Sequence, residues 1–170
     1  MELAERARRV RLAIFDVDGV MTDGTLYIGP AGEQLKAFNI LDGHGLKMLQ
    51  AAGVATAIIS GRQSEAVAWR AGELGIAHVA QGVADKVAEF QRLCAAQALE
   101  ADACAFMGDD IPDLAVMRLC GLAVSVPDGA PEVRGAAHYV TRARGGRGAV
   151  REFCDLVLEA RRQLGRDGAV

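Results

Sequence analysis

No stretch of the 170-residue chain approaches the ~18 uninterrupted apolar residues of a membrane-spanning helix. Its first residues, Met1-Glu2-Leu3-Ala4-Glu5, lack the apolar run of a signal peptide, so neither a membrane span nor secretion is expected. An excess of positive charge is missing as well: 19 Lys and Arg stand against 22 Asp and Glu, a formal net charge of −3. The basic residues gather near the two ends (Arg6, Arg8, Arg9 and Arg11, then Arg142, Arg144, Arg147, Arg151, Arg161 and Arg162), where a solvated helix face accounts for them, and no nucleic-acid partner is expected. The four cysteines, Cys94, Cys104, Cys120 and Cys154, show no paired metal-ligand spacing; three lie in apolar contexts suited to buried free thiols, which favours a reducing cytoplasm. Neither an internal repeat nor a linker breaks the chain, and its length suits one domain, residues 1–170, with a full core of its own.

What is present is an alternation of short apolar runs with helical patterns. Arg11–Phe15 reads as a buried strand ending in Asp16-Val17-Asp18-Gly19-Val20. A β-hairpin flap follows at about 25–38, its turn marked by Gly29-Pro30-Ala31-Gly32. Asp42 is expected to cap a helix from about Gly43 that Gly53 ends. Val54–Ile59, Ile76–Val79, Ala103–Met107, Leu122–Val126 and Tyr139–Val140 read as further strands. Helices are expected over Ser64–Leu74, Lys86–Leu99, after the Gly108–Asp113 stretch through Cys120, over Pro131–Ala136 and about Ala149–Leu164, with only the last few residues frayed. Strands alternating with helices imply a three-layer α/β fold, a doubly wound parallel sheet covered on both faces. Trp69, Met48 and Met107 fall at core spacing, and His44, His78 and His138 read as structural.

The chemistry gathers where strands end, because the carboxyl ends of a parallel sheet form its ligand crevice. Asp16, Asp18, Ser60, Lys86 and Asp109 all fall at such ends or at a helix start. An Asp-x-Asp-Gly taken alone equally suits a solvated Asx-turn; the other strand-end groups weigh against that reading. Carboxylates ~4 Å apart repel by about 4 kcal/mol at an effective dielectric of 20, and a phosphate dianion adds to the cost. A hard divalent cation removes it, and magnesium held by Asp16 and Asp109 fits the donor set. The Ser60 hydroxyl and the Lys86 ammonium suit phosphoryl oxygens. With these in place, Asp16 would attack phosphorus in line to give an aspartyl phosphate. Asp18 would protonate the leaving alkoxide and then take a proton from the attacking water.

Taken in order, Asp16-Val17-Asp18-Gly19-Val20, Ser60 after an apolar strand, Lys86, and Gly108-Asp109-Asp110 with Asp113 resemble the four motifs of the haloacid dehalogenase superfamily. In this superfamily the second Asp of the first motif implies phosphatase or phosphotransferase chemistry rather than dehalogenation, and the resemblance gives Asp18 a place in the metal shell beside Asp16 and Asp109 through its backbone carbonyl. The hairpin in place of a cap domain, Lys36-Ala37-Phe38-Asn39, Asp42-Gly43-His44-Gly45, Ile58-Ile59-Ser60-Gly61-Arg62, Gln81-Gly82 and Gly145-Gly146-Arg147-Gly148-Ala149-Val150-Arg151-Glu152 extend it over nearly the whole chain. These resemble a capless branch, the 3-deoxy-D-manno-octulosonate 8-phosphate phosphatases.

That likeness implies a magnesium-dependent cytoplasmic homotetramer that makes a sugar acid for lipopolysaccharide, with hairpins covering neighbouring sites. It also implies substrate contacts from Asn39, Ile40, Leu41, Asp42, Gly43, Lys47, Arg62, Arg70 and Lys86. Lys47 departs from the pattern, where Arg is common, and loses the bidentate fork. Arg62 and Arg70 also suit a solvated helix start, and Gly145-Gly146 a plain turn from which Arg147 reaches its own or a neighbouring site. The rival substrate is a nine-carbon sialic-acid-type 9-phosphate, whose branch has Glu in place of Arg62. A non-catalytic oligomerisation module is the rival of another class, and intact Asp16, Asp18, Lys86 and Asp109 argue against it.

Overall fold

Strand β1 (Leu12–Phe15) is buried at all four positions, as its unbroken apolar run requires. The computed structural model describes residues 1–167, apart from the side chains of 33, 34 and 163–167. β1 pairs in parallel with β4 (Ala55–Ile59) on one side and β6 (Cys104–Met107) on the other. β5 (His78–Ala80), β7 (Leu122–Ser125) and β8 (Tyr139–Val140) complete a parallel sheet in the order β5-β4-β1-β6-β7-β8. The chain runs outward from β1 to β4 and β5, then returns to place β6 on the opposite side. That reversal puts the ligand crevice at the carboxyl ends of β1 and β6.

The period of two along each strand divides the core into two layers. Ala13 and Phe15 of β1, Met107 of β6 and Val124 of β7 pack with side chains of helices α1 (Leu3–Arg9), α2 (Ile40–Ala51), α3 (Glu65–Leu74) and α7 (Ala149–Asp167). Leu12 and Ile14, Phe106 and Ala123 point the other way, onto α4 (Lys86–Ala96), α5 (Leu114–Met117) and α6 (Pro131–Ala136). Phe15 meets Phe153 of α7 edge to face, centroids 5.5 Å apart. This is the three-layer α/β arrangement the alternation implies. No helix among the described residues is long and apolar enough to cross a membrane.

Several elements differ from expectation. α1 is absent from the sequence reading: at seven residues it is too short to hold itself, and it exists by packing on α7, with Arg6 donating to the Gly121 carbonyl. α2 starts at Ile40 rather than near Gly43, because Asn39 and not Asp42 is its cap; the Asn39 side chain accepts from the Leu41 and Asp42 amides. The hairpin is shorter, β2 (Tyr27–Gly29) against β3 (Gly32–Leu35). After Asp109 a 3₁₀ turn, Ile111–Asp113, and the single turn of α5 replace a longer helix. Trp69 is 72% exposed, not core, while Met107 is buried as expected. All four cysteines are free and buried. The fraying expected of the last few residues concerns 168–170, which lie outside the described residues.

Candidate active site

A cleft of about 790 Å³ opens at the carboxyl end of the sheet, lined by Asp16, Asp18, Ser60, Arg62, Lys86, Asp109, Asp110 and Asp113 among others. β1 delivers Asp16, and the turn after it is tight: the Val17 carbonyl accepts from the amides of Val20, Met21 and Thr22. Gly19 is obligatory in that turn, since its φ is +87° and a Cβ would lie 2.0 Å from an Asp109 carboxylate oxygen. Gly145 backs the same turn at close range, where a Cβ would meet the Gly19 carbonyl at 1.8 Å. The Gly146 amide donates to the Val20 carbonyl. The glycine pair is therefore the backing of the catalytic turn. Arg147 lies over it in an exposed ion pair with Asp23.

Lys86 opens α4 with its ammonium buried, 3.1 Å from Asp16 Oδ1 and 2.7 Å from Asp113 Oδ1. Burial alone would lower its pKa, but the two carboxylates outweigh that and hold it above the ordinary lysine value. Asp113 accepts from Lys86 through one oxygen and from the Asp109 and Asp110 amides through the other. It thus clamps the β6–α5 loop onto Lys86, a role the sequence reading left undecided. Gly108 makes room for it, since a Cβ there would meet the Asp113 side chain at 2.5 Å. Asp110 caps the 3₁₀ turn through the Ile111 amide.

Burial, with Asp113 nearby, pushes the Asp16 carboxyl up to about 6 against the pull of Lys86. Asp109 goes up to about 7 through burial and then the charges of Asp16, Asp113 and Asp110. Asp16, Asp109 and Asp113 each bring a carboxylate oxygen within 4.8 Å of the others. Asp109 Oδ1 is buried with no hydrogen-bond partner, the signature of an acceptor arranged for a cation. Hard oxygen donors with unrelieved negative charge form a site for a divalent cation. Since both Asp113 oxygens are already engaged, Asp16 and Asp109 are its natural side-chain ligands. The Asp18 side chain lies elsewhere, in ion pairs with Lys36 and Arg62, and is not in the carboxylate cluster.

Of the expected substrate contacts, Arg62 and Lys86 line this cleft; Asn39, Ile40, Leu41, Asp42, Gly43, Lys47 and Arg70 do not. Asn39–Gly43 lie at the start of α2 with Arg70 of α3 against them, and Lys47 stands further along α2, toward Gly75. Asp42 is buried and accepts from the Arg151 and Gly148 amides, fastening α7 to α2. Gly43 leaves space for the Arg70 guanidinium, which also donates to the Asn39 carbonyl. Ile40 is 82% exposed, and Leu41 and Lys47 are exposed too. His138 accepts from the Ala123 amide and His78 hydrogen-bonds Gln97, the structural parts expected of both, whereas His44 is exposed.

An acidic pair after β1, a serine after β4, a lysine opening α4 and an aspartate after β6, on this strand order, define a phosphohydrolase of the haloacid dehalogenase class. The haloacid dehalogenase-like hydrolase family model matches residues 68–152. The chain is 47% identical over 163 residues to 3-deoxy-D-manno-octulosonate 8-phosphate phosphatase of Yersinia pestis, covering 96% of this chain and 87% of that protein. The solved structure of the Yersinia pestis protein superposes with a TM-score of 0.92. A Moraxella catarrhalis phosphatase of that name, solved in complex with a magnesium ion, a phosphate ion and a KDO molecule, is 40% identical over 98% of this chain and 96% of its own, with a TM-score of 0.92. The cobalt-bound Haemophilus influenzae phosphatase is 36% identical over 92% and 91%, at a TM-score of 0.90. The chain belongs to the 3-deoxy-D-manno-octulosonate 8-phosphate phosphatase family.

Proposed function

We propose that the chain is a magnesium-dependent phosphatase that hydrolyses 3-deoxy-D-manno-octulosonate 8-phosphate to the free sugar acid, for lipopolysaccharide precursor synthesis, in the cytoplasm. The observation that carries the substrate class is Arg62, half-exposed at the cleft wall, its Nε 3.7 Å from Asp18 Oδ2. Asp16 is the nucleophile, and the buried Lys86 ammonium beside it steadies the phosphoryl oxygens together with Ser60. Magnesium, held by Asp16, Asp109 and the Asp18 backbone carbonyl, would neutralise the acidic pair and polarise the phosphoryl group. Asp18 passes a proton to the leaving alkoxide, and after the aspartyl phosphate has formed it accepts one from water.

Arg62 then serves the far end of the substrate, because a planar guanidinium binds a carboxylate through two parallel hydrogen bonds. The nine-carbon rival carries the same carboxylate; what favours the eight-carbon acid is the resemblance, in which the nine-carbon branch has Glu where this chain has Arg62. Charge-assisted bonds of this kind are worth ~1.5 to 3 kcal/mol, or about tenfold to hundredfold in selectivity. Arg62→Ala is expected to lower kcat/KM for the octulosonate phosphate by about that factor. A sugar phosphate with a similar alkoxide but no carboxylate should hardly change, and equal losses for the two esters would remove the assignment.

The working form we infer is a homotetramer. Ile28 and Leu35 of the hairpin, Ile40, Leu41 and Trp69 are all exposed, an apolar display that a solitary chain has little reason to keep. Capped by a neighbour's hairpin, the open cleft would shed water and gain selectivity, and the exposed Ile40, Leu41 and Lys47, with Asn39 and Arg70 beside them, would contribute to substrate binding across that contact, while the buried Asp42 and Gly43 shape the start of the helix that presents them. Light scattering on dilution, read beside activity, is expected to show activity lost with dissociation. A fully active monomer would refute the shared cover.

A further inference from the structure

Lys36 is the first residue after β3 and lies three residues before the α2 cap Asn39. Its side chain is 1% exposed, and its ammonium donates to Asp18 Oδ1 in a short ion pair. Burying an ammonium is costly unless a charge meets it, so the placement is specific. The tight turn after β1 determines the Asp18 backbone but leaves the carboxyl free to rotate about two side-chain bonds. Arg62 approaches the other carboxylate oxygen at only 3.7 Å from a half-exposed side chain. Lys36 is therefore the firmer of the two contacts, and it is carried by the foot of the hairpin.

We propose that Lys36 is a positioning residue: it holds the Asp18 carboxyl in the orientation that reaches the leaving oxygen, and so ties the seating of the hairpin to proton transfer. This rests on the acid and base role given to Asp18. Proton transfer demands hydrogen-bond reach, and a carboxyl left to rotate spends most of its time outside it. Contacts seated on a neighbouring copy by the hairpin would be felt at Asp18 through this ammonium.

The experiment compares the octulosonate phosphate, whose alkoxide needs a proton, with p-nitrophenyl phosphate, whose leaving group does not. Lys36→Met is expected to lower kcat for the sugar phosphate by about tenfold to hundredfold, with KM within about threefold. Release of nitrophenol in a single turnover should stay within about threefold of wild type, and K36R should restore most of the loss. Asp18→Asn alone should show the same split between substrates, and adding Lys36→Met to it should cost no more than about threefold further. Magnesium binding by calorimetry should be unchanged in Lys36→Met. Should that variant unfold, Lys36→Gln carries the same comparison.

A split in Asp18→Asn but equal losses for both substrates in the Lys36 variant would overturn the positioning role alone. Undiminished sugar-phosphate turnover, fully additive losses or weakened magnesium binding would do the same. An Asp18→Asn variant blind to the leaving group would overturn the acid assignment and this inference with it.

Discussion

Asp16→Asn is expected to abolish phosphate release from every phosphate monoester while the chain stays folded. The amide conserves the volume at the end of β1 but has no lone-pair charge with which to attack phosphorus, and it is a poor ligand for a hard cation. Both losses fall on the same step, so the decrease should exceed about 10⁴-fold whatever the leaving group. Folding is spared because Lys86 keeps its closer partner, Asp113 at 2.7 Å, and because one of the crowded acids is removed. Near wild-type phosphate release from this variant would sink the nucleophile; a collapsed melting curve would show instead that the Lys86–Asp16 contact holds the loop.

Asp109→Asn is expected to act in opposite directions on activity and on stability. Its Oδ1 is a buried acceptor with no hydrogen-bond partner, so the substitution removes a metal ligand, and turnover at limiting magnesium should fall by about 10²-fold or more. The metal-free protein, by contrast, should melt higher, because a charge that burial and Asp16 disfavour is gone.

The sign of the pH dependence follows from the same two groups. Asp16 at about 6 and Asp109 at about 7 both lie above the ordinary 3.8 in the metal-free fold. Between about pH 4 and 7 the folded chain therefore binds protons that the unfolded chain does not, and stability falls as pH rises through that window. With a chelator present, wild type should melt higher at about pH 5 than at about pH 8. Magnesium should stabilise more at the higher pH, and Asp109→Asn should flatten the chelated profile. A chelated wild type that gains stability from about pH 5 to 8 would contradict the carboxylate cluster.

What was legible in the sequence was whatever the chain specifies locally. β1, β4, β6 and β7 announce themselves because a strand covered on both faces is an uninterrupted apolar run, and the residues just after such runs lie at the carboxyl ends of a parallel sheet, where its crevice forms. That is enough to gather Asp16, Asp18, Ser60, Lys86 and Asp109 from the sequence; Arg62 joined them only through the resemblance. Ser64 and Gly75 bound α3 as read, with Gly75 in the left-handed conformation that ends a helix.

The tertiary structure decided what depends on partners distant in the chain. Asn39 and Asp42 are equally good caps by composition; Asp42 is unavailable because its carboxylate is taken by amides of α7. Trp69 has a helical phase but no partner at that phase, so it faces outward; periodicity gives the angle of a residue on its helix and not what lies opposite. Asp113 and Lys36 stand within stretches that resemble the family, yet nothing in those stretches says which charge either of them meets. Each became part of the site only when the fold brought its charge against Lys86 or Asp18, because an ion pair in a buried setting is a property of two segments and is written in neither.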